Sequence, residues 1–353
     1  MPLQHVRIEN LRCIEHAELS LHPQRSYIYG PNGAGKTSVL EAIYLLSRGR
    51  SFRSRQNKRL IRHGQAALTV FGEARHAEQT HRLGVRLGDA GLEARIDGAR
   101  AVSVAELARQ LPAHVIEPNI HQLIEGGPSM RRRFLDWGVF HVEQGFLDAW
   151  RRFRRVLGQR NSALKQGLDT ASWDPAFLEA GDAVNAARER YVDLLGCAVA
   201  QIGRDLSGQP VALTYRRGWT SGSTLASALE ASRDRERSYG ATQVGPHRAD
   251  LRITMDGHGV REEASRGQQK LVAAALIVSQ VRVFAETNGN GGILLVDDPA
   301  AELDATAFER LMGALESLPA QLVLTGLSEA ALPAAAGSPV FHVERGKVAT
   351  VVY

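Results

Sequence analysis

Residues 25–37 read Arg25-Ser26-Tyr27-Ile28-Tyr29-Gly30-Pro31-Asn32-Gly33-Ala34-Gly35-Lys36-Thr37. Arg25 to Tyr29 has strand character, the next eight residues match G-x-x-x-x-G-K-[ST], and Val39, Ile43 and Leu46 follow at helical spacing. Strand, glycine loop and helix in that order make a phosphate cradle. The glycines let backbone N–H groups curl around phosphate oxygens, and the helix opening at Gly35 adds the positive end of its dipole. In such a loop the lysine, here Lys36, reaches the β- and γ-phosphates, and the Thr37 hydroxyl ligates Mg2+. The expected binding run is Gly30, Pro31, Asn32, Gly33, Ala34, Gly35, Lys36, Thr37 and Ser38, and the expected ligands are ATP or GTP with Mg2+. A chance glycine turn would lack the two flanks.

Farther along, Gly292 to Val296 is an apolar strand that ends in Asp297-Asp298. An acid at the tip of a buried strand beside a phosphate loop holds the Mg2+ shell, often through water, and that role falls to Asp297. Asp298 is placed to orient or polarise the attacking water, so Lys36, Asp297 and Asp298 form the expected catalytic set. An acid pair that only caps the next helix is the weaker alternative. Ser265-Arg266-Gly267-Gln268-Gln269-Lys270 opens a helix with an apolar body. Its serine and glycine make either a second anion site or a plain N-cap, and alone the two readings balance. Beside the two earlier motifs the run resembles the S-G-G-Q signature of ABC-type ATPases. That resemblance implies that Ser265, Gly267 and Gln268 of one copy close over the γ-phosphate held by another, with Glu302-Leu303-Asp304 in the D-loop position.

Around these motifs the apolar period changes twice. From Leu68 to Ile96 it is two, with turns at Asp89 to Gly91 and at Asp97-Gly98, which predicts an antiparallel β-lobe beside the loop. The middle is helical: Phe146, Trp150, Phe153 and Leu157, then Val184, Ala187, Tyr191, Leu194, Ala198 and Ile202, with Gly167 to Pro175 between them. Two helices of roughly 30 residues would make a hairpin about 45 Å long. Ser207 to Ser223 reads as a polar connection. A β pattern resumes at Leu251, Ile253 and Met255, followed by a helix from Gln268 to Val283, one from Asp304 to Leu318, and a strand from Gln321 to Thr325. Nucleotide motifs at both ends and helices between them predict an α/β fold: a discontinuous ATPase head, residues 1–117 and 240–353, carrying an inserted helical arm, residues 118–239.

Several runs together resemble the RecF family of recombination mediators: Tyr29 to Thr37, Leu40 to Leu46, Gly49 to Arg53, Pro128 to Asp136, Gly245 to Leu251 and Ser265 to Lys270. They fall in that family's order over nearly the whole chain. The resemblance implies an ABC-type head related to SMC heads, ATP-dependent homodimerisation, binding to DNA where duplex meets single-stranded gaps, slow hydrolysis, and partnership with RecR and RecO. Transporter-type ABC subunits carry Glu where this chain has Asp298, one methylene shorter, which suits a timer better than a motor. The switch position is expected near Thr325, and Gln122 is the Q-loop candidate.

The chain has 353 residues and a formal charge of +5; only five basic residues are lysines, so arginine dominates. A GC-rich genome explains that bias, and the excess alone does not argue for nucleic acid. Local clusters carry more: Arg50, Arg53 and Arg55 follow the loop helix, and Arg131, Arg132, Arg151 and Arg152 mark the arm. Each is either a DNA phosphate contact or a solvated, paired face; Arg50 and Arg53 equally suit ATP phosphate or a dimer contact, and Arg131 to Arg133 suit structural partners of the head. Composition at 44% apolar and 23% charged excludes disorder and fibres. The longest apolar run, Leu271 to Val278, is short of a membrane span, and the charged first twenty residues suit no secretory leader. Two cysteines offer neither a disulfide framework nor a zinc site. A cytoplasmic protein that engages no membrane is expected. The competing reading is a fast-turnover ABC motor such as a transporter ATPase subunit; an ABC-headed nuclease would need an acidic metal domain for which no residues remain.

Overall fold

The structure is a computed structural model that describes residues 2–54, 56–76, 79–300, 303–328 and 338–351. It divides into two units, Met1–Ile120 with Phe284–Tyr353, and His121–Val283.

In the first unit β1 (Leu3–Leu11) and β2 (Ile14–Ser20) form a hairpin, and β3 (Arg25–Tyr29) leads into α1 (Lys36–Arg48). Then come β4 (Leu68–His76), β5 (Gln79–Gly88), β6 (Gly91–Ile96), β7 (Ala99–Arg100), α2 (Val104–Gln110) and β8 (Ala113–Ile116). The period-two residues build an antiparallel sheet in the order β2-β1-β4-β5-β6-β7, with Leu68 opposite Leu87 and Val70 opposite Val85.

The second unit contains α3 (Gln122–Glu125), α4 (Pro128–Val142), α5 (Phe146–Lys165), α6 (Asp174–Ser207), β9 (Val211–Arg216), α7 (Leu225–Tyr239), β10 (Asp250–Met255), β11 (His258–Gly259), α8 (Val260–Glu263) and most of α9 (Arg266–Asn288). Two corrections to the expected arm follow. Its helices are unequal, 20 residues in α5 against 34 in α6, because Gly145 at φ 80 separates α5 from α4. Ser207 to Ser223 is not only a connection: Val211, Leu213 and Tyr215 pair with Met255, Ile253 and Leu251. That pairing gives residues 240–283 to the second unit, so its far boundary falls at 283 and not at 239. Arg160, fully buried, joins α5 to α6 and α7 through Asp174 at 2.9 Å and Glu236 at 2.6 Å, with Thr242 and Thr170 taking further N–H groups. All that charge is paired, as burial requires.

The chain then returns to the first unit with β12 (Ile293–Val296), α10 (Ala305–Glu316), β13 (Gln321–Gly326), β14 (Val340–Glu344) and β15 (Lys347–Val351). The central sheet runs β15-β14-β3-β13-β12-β8, parallel throughout except for β15. Every residue of β12 and β13 is buried, the pattern of a covered parallel sheet. Val39, Leu40 and Ile43 of α1 share one core with Ile8 and Val70 of the antiparallel sheet and Leu295 and Val323 of the parallel one. Gln321 locks the sheets together, accepting the Leu3 N–H at 2.7 Å and donating to the Leu3 and His22 carbonyls. α9 is as long and apolar as a membrane span, but 67% of its most apolar stretch is buried within the protein, as in a core helix.

Candidate nucleotide site

Ligands of parallel α/β sheets bind beyond the carboxyl ends of the strands, and β3, β8, β12 and β13 all end at the same edge. A cavity of about 320 Å³ opens at their other ends, beside Arg25, Gly292 and Gln321, and no residue of the glycine loop lines it.

β3 delivers Gly30 at φ 153, where a Cβ would lie 2.1 Å from the Val343 carbonyl oxygen. Gly35, at φ 119, leaves 2.9 Å between a would-be Cβ and Cys13 Sγ. Only glycine allows both approaches. The Gly346 N–H donates to Ala34 O at 2.8 Å, so the β14–β15 turn holds the loop from behind while Pro31, Asn32 and Gly33 stay exposed. Lys36, the first residue of α1, folds back to donate to Gly30 O at 2.7 Å and Pro31 O at 3.1 Å. Burial pushes its ammonium pKa down, and Asp298 and Asp297 oppose that shift. Ser38 is buried in the same first turn.

Thr37 Oγ1 lies 3.0 Å from both oxygens of Asp297. Asp297 leaves β12 with its N–H donated to Ile116 O at 2.8 Å, and Thr325 Oγ1 donates to its Oδ1 at 2.9 Å. Burial holds the Asp297 carboxyl above the usual carboxylate range; the threonine hydroxyls and Arg53 pull it down, and Asp298 pushes it up. A hydroxyl and a buried carboxylate in contact are hard oxygen donors of the kind Mg2+ takes alongside phosphate oxygens and waters, so these residues fit that ion. Bound there, Mg2+ would supply neutralising charge to the phosphates. Among the described residues no cluster of three or more His, Cys, Asp or Glu forms a metal site by itself. Asp298 adopts a left-handed φ of 48 and gives its N–H to Thr325 Oγ1 at 2.9 Å.

Glu117, directly after β8, escaped the sequence reading. Burial and the nearby Asp297 push its carboxyl up to about 7, with Arg53 pulling the other way. The signal was an acid at the end of the short strand Ala113–Ile116, a weaker version of the pattern that singled out Asp297 because His114 interrupts its apolar residues. Also missed was the network behind Arg53. Glu41, fully buried in α1, accepts from Arg12 Nε and Nη2 at 3.0 Å each and from the Ser51 hydroxyl at 2.5 Å. Ser51 Oγ in turn accepts the N–H groups of Arg53 and Ser54.

The remaining expected residues are placed variously. Arg50 and Arg53 are exposed after α1, whereas Arg55 lies outside the described residues, as does Glu302. Asp304 is the N-cap of α10. In the second unit, Ser265 and Gln268 form a reciprocal capping box, Ser265 N–H to Gln268 Oε1 at 2.9 Å and Gln268 N–H to Ser265 Oγ at 3.3 Å. A Cβ on Gly267 would meet nothing within 4 Å. Gln122 is exposed at the start of α3 against His121. Arg131 corrects the DNA expectation. Its side chain is 6% exposed, paired with Asp250 at 2.8 and 3.0 Å and bonded to the Ile124 and Gly126 carbonyls. A phosphate cannot reach it without breaking those bonds. Arg132 is half-buried, on Ala249 O at 2.6 Å. Arg151 is exposed near Asp148, and Arg152 is exposed but held by both oxygens of Glu179 at 2.7 Å.

A model of the RecF/RecN/SMC N terminal domain family matches residues 2–348. The DNA replication and repair protein RecF of Pseudomonas aeruginosa is 42% identical over 359 residues, covering 99% of this chain and 97% of its own. That of Shewanella denitrificans is 38% identical, covering 99% and 100%. A solved structure of the recombination mediator protein RecF with ATP, in the RecFOR pathway, superposes with a TM-score of 0.90 at 25% identity over 99% of this chain and 98% of that one. An SMC head bound to the C-winged helix domain of ScpA shares the fold, with a TM-score of 0.61 at 16% identity over 99% of this chain and 98% of that one. Glycine loop, strand-tip acids and a parallel sheet flanked by an antiparallel lobe define an ABC-type P-loop ATPase head, the type also found in SMC proteins. Within that class, the chain belongs to the RecF family of DNA replication and repair proteins.

Proposed function

We propose that this protein is an ATP-dependent recombination mediator of gap repair in the cytoplasm. It binds ATP with Mg2+, dimerises while the γ-phosphate is present, holds DNA at the junction of duplex and single strand, and releases it on slow hydrolysis. Its partners in loading recombinase are RecR and RecO. The observation that carries the reading is the contact of Thr37 with Asp297 beneath the glycine loop, the arrangement a nucleotide-bound Mg2+ needs. The start of α9 supports dimerisation: Ser265 is exposed, and Gly267, a costly helical residue, has no neighbour in its own chain that demands it. The relatives' names and the ATP complex of a RecF protein point the same way. DNA contact rests with exposed arginines such as Arg50, Arg53, Arg151 and Arg152, since Arg131 is internally committed.

A ligand that binds only the joined state shifts association by mass action. Saturating ATP with Mg2+ therefore moves wild type from monomer to dimer in sedimentation, and Lys36→Met stays monomeric. An unchanged mass in both would remove the switch.

A further inference from the structure

The end of β8 carries an acid to which the catalytic set above gives no task. Ile116 pairs in parallel with Val296, and the Asp297 N–H extends that ladder to Ile116 O. Glu117 therefore leaves its strand beside Asp297, at the edge where Thr37 also meets Asp297. It is half-buried, with Asp297, Arg53 and Glu41 in electrostatic range, and its carboxylate makes no hydrogen bond or ion pair to any described residue. A half-buried acid facing other acids destabilises a fold, and such groups persist where they act. The two neighbouring acids are already engaged. Asp297 accepts from Thr37 and Thr325. Asp298, one methylene shorter than Glu117, acts on the Lys36 ammonium ahead of Asp297.

We propose that Glu117 is a catalytic residue of this ATPase: it accepts a hydrogen bond from the attacking water and orients it, while Arg53 draws the carboxylate toward the phosphates. The inference rests on the hydrolysis assigned above. The water oxygen bonds to the γ-phosphorus as the bond to the bridging oxygen breaks. ADP leaves with that electron pair, and the water proton passes to the inorganic phosphate. Glu117 supplies at the tip of one strand the longer side chain that Asp298 lacks at the tip of the next.

The test compares full-length wild type, E117Q and E117D in three measurements: equilibrium ATP binding with Mg2+, single-turnover hydrolysis on gapped DNA, and thermal unfolding without nucleotide. E117Q is expected to bind ATP within about threefold of wild type and to hydrolyse it at least about tenfold more slowly. Its melting temperature should be equal or higher, and E117D should recover part of the rate. E117Q hydrolysing at the wild-type rate overturns the proposal. So does a fall in melting temperature with matching loss of ATP binding, which would make Glu117 a structural residue. A wild type that binds ATP without hydrolysing it overturns the ATPase reading as well; a hydrolysing wild type with an unaffected E117Q overturns this proposal alone.

Discussion

Thr325 donates its hydroxyl proton to Asp297 Oδ1 across 2.9 Å from a fully buried position in β13. Thr325 Oγ1 also accepts the Asp298 N–H, so one side chain fixes both the Asp297 carboxylate and the left-handed backbone of the next acid. Valine at this position keeps the shape and loses both bonds. Thr325→Val should cost about 1–3 kcal/mol, mostly through the stranded Asp298 N–H, measured by urea unfolding. ATP binding should persist while single-turnover hydrolysis slows. A wild-type rate would mean that the tie does not govern the chemistry.

Glu41 reaches Arg53 through a single intermediary. Its carboxylate orders Ser51, and the Ser51 hydroxyl accepts the Arg53 N–H at 3.0 Å. Glu41→Gln leaves Arg12 without its counter-charge; because Arg12 is partly solvated, the loss should be about 2 kcal/mol, below that of a fully buried pair. The milder Ser51→Ala should cost about 1 kcal/mol. Both should weaken ATP binding alongside Arg53→Ala if the loop acts on phosphate, and calorimetric titration separates that effect from stability.

How much of this was legible follows from which signals are local. The glycine loop, β12 and its two acids are contiguous runs, and the sequence placed them within a residue or two. The strand that carries Thr325 was also legible, expected over Gln321 to Thr325 and found over Gln321–Gly326. Glu117 was hidden because its partner Asp297 is 180 residues away and the intervening chain gives no sign that β8 lies beside β12. Arg131 read as a basic cluster because its carboxylate, Asp250, stands 119 residues off. β9 was lost since its glycine-rich surroundings masked an alternation that only β10 makes meaningful.

Structural and DNA-binding arginines should separate cleanly. Arg131→Ala leaves Asp250 and two carbonyls without their donor and should destabilise the protein by about 3 kcal/mol. Arg151→Ala should change stability by no more than about 0.5 kcal/mol. If Arg151 meets phosphate, its loss lowers the log–log salt slope of DNA binding by about 0.9. An unchanged slope would assign Arg151 to the solvated face it shares with Asp148.

The capping box at α9 gives Ser265 two separable roles. As a cap in the free chain, Ser265→Ala should cost about 1 kcal/mol. If the same serine also faces a partner's nucleotide, ATP-driven dimerisation should weaken well beyond that, read by sedimentation. A loss confined to stability would leave the serine a cap only.

Acid sensitivity should reveal Glu117 independently of catalysis. Burial holds His114 and His247 neutral, at about 3 and about 4 against an ordinary 6.5. Unfolded, both take up protons as pH falls through 6.5, so each contributes stability that is present above that value and lost toward its folded pKa. Glu117 has the opposite sign. Its folded pKa of about 7 lies above the ordinary 4.5, so its contribution is full below pH 4.5 and lost as pH rises to 7. Between pH 4.5 and 6.5 the folded chain thus holds one proton on Glu117 while the unfolded chain holds one on each histidine. Removing a single group changes the slope of stability against pH by about 1.4 kcal/mol per unit. Glu117→Gln should therefore steepen the rise of urea stability with pH by that amount, and His247→Gln should flatten it by the same amount. Identical slopes in all three proteins would mean that neither group is as strongly shifted as its surroundings require.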